Sequence, residues 1–355
     1  DSLIVGNFLG SNALAAISSS GSLIFLLIGF LSGIAIGAGV VISRYFGARD
    51  DENVQIAIHT TAAFGLVAGV LMTLVGVLLS PQILVWMGTP DVVMDESLTY
   101  LQIYFMGSLG SVMYNIFVGT LQAMGDSKHP LYYLIASSIV NVVLDILFIA
   151  VFHAGVGGAA LATIISQFLS AFLCMFRLMK NKGCEKLYLR KIRFNWEMLK
   201  QIVRFGLPSG VQNSIIALAN VVVQSNINSF GEMAMAGVGA FSKIEGFGFL
   251  PITSFTMAMT TFISQNLGAK QHERAKQGAR FGIFMTALLA ELIGVVVFIF
   301  APQLIAAFDS NPAVVEIGVE KARTSALFFF LLAYSHAVSA ILRGAGKAVV
   351  PMMVM

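Results

Sequence analysis

Charge is what this sequence has least of. Only 11% of its 355 residues are Asp, Glu, Lys or Arg, against roughly 25% in a soluble globular chain. A chain of this length would otherwise form two soluble domains, and so few charges cannot coat their surface. A large soluble enzyme is therefore excluded. Cysteine is equally scarce: Cys174 lies in an apolar run and Cys184 in a basic stretch, which gives no disulfide framework. Disorder fails for the opposite reason, because 57% of the residues are hydrophobic and the mean hydropathy is +0.85, far above what keeps a chain unfolded. No P-loop, dinucleotide fingerprint or Ser/His/Asp set is present. The five histidines, His59, His129, His153, His272 and His336, show no paired ligand spacing, so neither an enzyme nor a metal site is expected.

What is present is a series of long, unbroken apolar runs. Membrane β-barrels alternate apolar and polar residues, so these runs are helices, and the fold class is an all-α polytopic membrane protein. Spans of about 20 residues or more are expected near 13–43, 54–80, 92–121, 131–152 and 157–179. After a basic connector they continue near 200–230, 233–264, 276–301 and 313–342, with partial spans at 1–10 and 348–355. The sequence reads as a stretch that begins inside one helix and stops just inside another. Close-packed membrane helices favour glycine, and 34 are present.

The distribution of positive charge orients the spans. The turns at 44–53, 122–130, 177–204, 265–280 and 343–347 hold every Lys and Arg except Lys243, Lys321 and Arg323. These turns are assigned to the cytoplasm. The opposite turns carry Asp91, Asp95, Glu96, Glu232, Asp309 and Glu316. The basic run from Arg177 to Arg193 is thereby explained as a positive-inside connector, and nucleic acid is not an expected partner.

The sequence also repeats itself. An offset of 221 aligns residues 1–134 with 222–355 without a gap: Gly10 with Gly231, Arg49 with Lys270, Pro81 with Pro302, Gly125 with Gly346 and Pro130 with Pro351. The matches fall at turns and helix ends, where Gly and Pro set backbone geometry. Six helices fit in one repeat, so both halves enter the membrane in the same sense. Parallel repeats of that kind are a transporter architecture, with the pathway between the halves. The expected organisation is an amino-terminal lobe at 1–181, a connector at 182–198 and a carboxy-terminal lobe at 199–355. The complete repeat would have twelve spans.

Ionisable groups inside a span are costly and mark functional positions. Asn141 and Asp145 share one helix face a turn apart. Asp145 lies nine residues before the outer turn at Ala154, and Thr163 nine after it, so both lie about 14 Å below that turn. Asp1 lies at a similar depth below Gly10. Two carboxylates, an amide and a hydroxyl at one level suit a hard cation such as Na⁺ or a shared proton. In the second half Lys243, Glu245 and Gln224 are candidate substrate or coupling residues. Lys243 and Glu245 point to different helix faces. Glu291 is a further intramembrane carboxylate. Tyr100 and Tyr104 share a face that could line a cavity.

Several ordered stretches resemble the multidrug and toxic compound extrusion (MATE) family. They are Asp1-Ser2-Leu3-Ile4-Val5-Gly6, Ile42-Ser43-Arg44-Tyr45-Phe46-Gly47-Ala48, Leu121-Gln122-Ala123-Met124-Gly125-Asp126 and Asn141-Val142-Val143-Leu144-Asp145. Gly157-Gly158-Ala159-Ala160-Leu161-Ala162-Thr163, Gly206-Leu207-Pro208 and Leu342-Arg343-Gly344-Ala345-Gly346 follow. The resemblance implies two six-helix lobes, alternating access, and export of organic cations and other amphipathic compounds. Coupling would be to Na⁺ or H⁺, with no other cofactor. It implies a monomer in the inner membrane of a bacterium, and it places the cation site on Asp1, Asn141, Asp145 and Thr163. The NorM-like branch uses an acidic residue in the seventh helix. The run 209–216 has none, which favours the other bacterial branch. The alternatives are a lipid-linked sugar flippase of the same superfamily, which would need cavity cations for a phosphate, and an intramembrane prenyl or lipid transferase. The transferase would need clustered carboxylates at the cytoplasmic face to hold Mg²⁺.

Overall fold

A computed structural model describes residues 2–308 and 311–354. The chain packs as two units, Asp1–Asn213 and Ser214–Met355. The first contains α1 (Ser2–Leu9), α2 (Ser11–Gly47), α3 (Asp51–Trp86), α4 (Asp91–Met106), α5 (Ser108–Ala123), α6 (Lys128–Asp145) and α7 (Gly155–Lys180). α8 (Trp196–Asn228) begins in the first unit and ends in the second. The second unit continues with α9 (Glu232–Gly268), α10 (His272–Ala306), α11 (Pro312–Ala326), α12 (Phe329–Gly344) and α13 (Val349–Val354). Among the described residues seven helices are long and apolar enough to cross a membrane, and nine spans result if the bent pairs α4–α5 and α11–α12 each count as one.

The repeat expected from the sequence is written into the backbone. α4–α5 bends by 47° and α11–α12 by 52°, at positions 221 residues apart. Arg49 and Lys270 both take left-handed φ values, 56° and 58°. Gly10 and Gly231 (87° and 93°) and Gly125 and Gly346 (90° and 80°) do the same. Pro81 lies inside α3 and Pro302 inside α10. Residue pairs with little identity elsewhere thus keep the backbone geometry that ends or bends a helix.

Within the first unit α5 packs on α2, α3 and α7, and α6 packs on α7. Its main core joins Val41, Ile42, Val54, Ile58, Leu121, Leu178 and Ile202, and includes Leu187 from the connector. α2 and α8 approach backbone to backbone. A Cβ added to Gly33 would lie 2.1 Å from the Gly210 nitrogen, and one on Gly37 2.2 Å from the Gly206 Cα. Both helices carry small residues four apart at the crossing, the arrangement by which membrane helices pack most closely. The second unit has its own core around Phe241, Ile252, Ala290, Val297 and Phe329. Leu71, Leu74, Leu78, Ile139, Val143, Phe284, Leu292 and Ile299 are exposed, as the lipid-facing sides of spanning helices must be.

The connector is fastened to the first unit. Gln55 Nε2 donates to the carbonyls of Cys184 (2.5 Å) and Lys186 (2.9 Å). His59, buried in α3, has Nδ1 2.6 Å from the Gln55 carbonyl, while its Nε2 accepts the Tyr188 amide at 3.0 Å. One nitrogen must donate and the other accept, so a single neutral tautomer fits. The Tyr188 ring stacks on the same imidazole.

Candidate functional site

Asp145 is the last residue of α6 and is fully buried. Beyond it the chain runs through a π-helical turn, Ile146–Val151, and a left-handed pair at His153 and Gly155 before α7 begins. π-turns inside apolar helices are frequent at functional sites, and this one follows the carboxylate directly. Asn141, one turn earlier, keeps a buried amide Nδ2 with no hydrogen-bond partner among the described residues, and such an atom calls for a ligand or water. Thr163 is half-buried on α7, its Oγ1 donating to the Ala159 carbonyl at 3.0 Å. α6, the π-turn and α7 pack together and hold these three residues in one hairpin. Asp1, the fourth residue of the expected set, lies outside the described residues.

Tyr100 adds a group to this hairpin that the sequence did not assign to it. The Tyr100 hydroxyl lies within electrostatic range of Asp145. Its ring is 6% exposed, in a core with Val5, Ala13, Ile149, Val156, Ala159 and Ala160. Tyr104 stacks against it at 6.3 Å between ring centroids. Tyr104 in turn borders a cavity of about 10 Å³ with Ile24, Leu27, Met72, Ser111 and Asn115, room for about one water. The two tyrosines therefore bridge the carboxylate to a small internal pocket.

In the second unit Glu245 is half-buried on α9, and Lys321 of α11 lies within electrostatic range of its carboxylate. Lys321 stands 221 residues after Tyr100, so the two units place an ammonium and a phenol at equivalent positions. Lys243 faces elsewhere, its Nζ 5.7 Å from the centre of the Phe308 ring. Gln224 and Glu291 are both exposed. Arg323 turns towards α10, with Nε 3.3 Å from the Phe298 carbonyl. Charge pattern alone made Lys321 an exception to the positive-inside distribution. The repeat register, applied to Tyr100, is the signal that points to it.

The fold and this hairpin define a class: a helical membrane protein built from two copies of one six-helix motif, with a carboxylate buried inside a span. The model of the MatE family matches the chain over two stretches, residues 1–147 and 208–355. The chain belongs to the MatE family, the multidrug and toxic compound extrusion transporters. It is 29% identical over 359 residues to the probable multidrug resistance protein YoeA of Bacillus subtilis (strain 168), covering 99% of this chain and 78% of that one. It is also 29% identical over 346 residues to the probable multidrug resistance protein YpnP of the same strain, covering 98% and 77%. A crystal structure of a MATE protein in the bent conformation superposes with a TM-score of 0.92 at 24% identity, over 99% of this chain and 78% of the other.

Proposed function

We propose that the protein exports amphipathic and cationic small molecules across a bacterial inner membrane, in exchange for Na⁺ or H⁺. Two lobes, residues 1–181 and 199–355 joined by the connector 182–198, alternate access to the substrate. The protein acts as a transporter, not an enzyme, and as a monomer. The observation that carries this reading is the fully buried Asp145 at the start of a π-turn. A carboxylate buried in a span is expensive and is retained where its charge is used. Asn141 and Thr163 supply further oxygens, Asp1 a second carboxylate, and Tyr100 a hydroxyl close enough to feel the charge. Binding a cation neutralises Asp145 and changes the relative stability of the outward-open and inward-open states, because a ligand shifts an equilibrium only by its differential affinity. In the second lobe Glu245 and Lys321 offset each other's charge, and with Lys243 and Gln224 they are the polar groups offered to substrate. The names of its Bacillus subtilis relatives, probable multidrug resistance proteins, support the substrate class.

The test is efflux of a cationic dye from everted vesicles, driven separately by a Na⁺ gradient and by a pH gradient. One of the two gradients is expected to drive export and the other to leave it at the passive rate. Export that is indifferent to both, and that requires ATP, would overturn the proposal.

A further inference from the structure

The cytoplasmic end of α8 carries a stripe with no role in transport as described. Trp196, Lys200 and Arg204 recur every four residues, and Leu199 and Val203 lie between them on the same face. Together they line an open surface groove of about 380 Å³ along one face of α8. Trp196 is 71% exposed and stacks on Phe194, ring centroids 6.3 Å apart. Lys200 is 72% exposed, and its contact with Glu197 at 3.4 Å joins two exposed side chains, a pairing of little strength. Arg204 is exposed, and its side chain makes no ion pair or hydrogen bond among the described residues. It stands two turns, about 12 Å, further into the span than Trp196. Leu207 continues the stripe one turn deeper and is also exposed.

These observations fit one occupant. A guanidinium exposed on the surface of a spanning helix needs a counter-charge, because an uncompensated cation at membrane depth is costly. Among the described residues no carboxylate is paired with Arg204. Trp settles at headgroup level, where its amphipathic ring is stable. Leu199 and Val203 lie level with the two cations, and Leu207 carries the apolar track one turn deeper. We infer that the groove binds an anionic phospholipid of the cytoplasmic leaflet. Its phosphate sits between Lys200 and Arg204, its headgroup against Trp196, and one acyl chain runs inward along Val203 and Leu207. The general positive charge of the connector attracts anionic lipid diffusely. The stripe differs in offering a groove, an aromatic wall and a cation placed below the headgroup plane. Bound there, a lipid anchors the start of α8 immediately after the connector.

Trp86 and Trp196 are the two tryptophans of the chain, so Trp86→Phe makes Trp196 the sole reporter. Reconstituted in nanodiscs of phosphatidylcholine with brominated phosphatidylglycerol or brominated phosphatidylcholine at equal mole fraction, Trp196 fluorescence reads the lipid beside it. Each basic side chain near an anionic surface contributes about five-fold in affinity. Brominated phosphatidylglycerol is therefore expected to be preferred by about 5- to 30-fold. Lys200→Gln with Arg204→Gln should bring the preference to within about two-fold of parity. Lys200→Arg with Arg204→Lys, which keeps both charges, should retain it, as should Lys186→Gln with Arg190→Gln in the connector. Equal quenching by the two lipids in the parent protein overturns the inference. A preference that survives loss of both stripe cations, or that disappears with the connector pair, assigns the lipid to diffuse charge and overturns it equally.

Discussion

The crossing of α2 and α8 invites a direct test, Gly33→Ala combined with Gly37→Ala. The added methyl carbons would stand 2.1 Å from the Gly210 nitrogen and 2.2 Å from the Gly206 Cα, where unstrained contacts between carbon atoms need about 3.5–4.0 Å. The obstructing atoms are backbone, so no side chain can swing aside, and the two helices must separate by about 1.5 Å. Overpacking of this kind costs roughly 1–3 kcal/mol per site, while Gly→Ala inside a helix returns up to about 1 kcal/mol in propensity. Two sites cost about 2–6 kcal/mol and regain up to about 2, so the net loss for the pair centres on about 3 kcal/mol. At about 2–4 °C per kcal/mol for a unit of 150–250 residues, the midpoint of thermal unfolding in detergent should fall by about 6–12 °C. Gly239→Ala is the control, since its Cβ would meet nothing within 4 Å and the same propensity gain should leave stability unchanged or slightly raised. A midpoint for the double variant equal to or above that of the control would refute the close crossing.

Three further outcomes are expected. Burial alone would raise the carboxyl of Asp126 in the cytoplasmic turn between α5 and α6, but hydrogen bonds from His129 (2.8 Å) and Arg177 (3.3 Å) outweigh it and hold the group below its ordinary value. A depressed carboxylate contributes stability that is present above its unfolded pKa of 3.8 and is lost as pH falls through the lower folded value. Asp126→Asn should therefore lower the unfolding midpoint at pH 7, and the gap to the parent should shrink as pH falls below 3.8 and through the lower folded value; a gap that stays constant down the acid range contradicts the pairing. A cysteine at Asp91 in a background lacking Cys174 and Cys184 should react with impermeant thiol reagents from outside the cell, and one at Lys186 only from the cytoplasm; the reverse pattern would invert the topology. Glu245→Gln and Lys321→Met should each impair efflux more than the double variant does, through a coupling of roughly 0.5–1 kcal/mol for a pair with one exposed partner; simple additivity would separate the two groups.

The sequence makes the spans and the repeat legible because both rest on local rules. Apolar length marks a span, and Gly10, Gly125 and their counterparts 221 residues later mark helix ends that the structure places at similar backbone angles. Asp145 is legible as a carboxylate in an apolar run. Which neighbours reach it is not, because that depends on how α4 is rotated about its own axis, and a single sequence fixes periodicity without fixing rotation. Tyr100 therefore reads as a cavity residue from its spacing with Tyr104, while in the structure it also lies beside Asp145. The Gly33–Gly37 and Gly206–Gly210 spacings are visible one by one, but nothing local says that these two helices meet. The same holds for His59, whose partner Tyr188 is 129 residues away and whose role exists only once the connector has folded back onto α3.

The central claim is that the charge of Asp145 drives export, and Asp145→Asn tests it most directly. Asn keeps the size of the side chain and one oxygen, but it can neither hold a cation by charge nor take up a proton. It should imitate the neutralised state. Burying an amide costs less than burying a carboxylate, so the variant should be made and inserted normally. In everted vesicles matched for protein content, the account predicts that gradient-driven dye efflux falls to the passive rate, while dye binding persists and Glu291→Gln exports as the parent does. Export by Asp145→Asn at the parent's rate, with the same ion dependence, would contradict it.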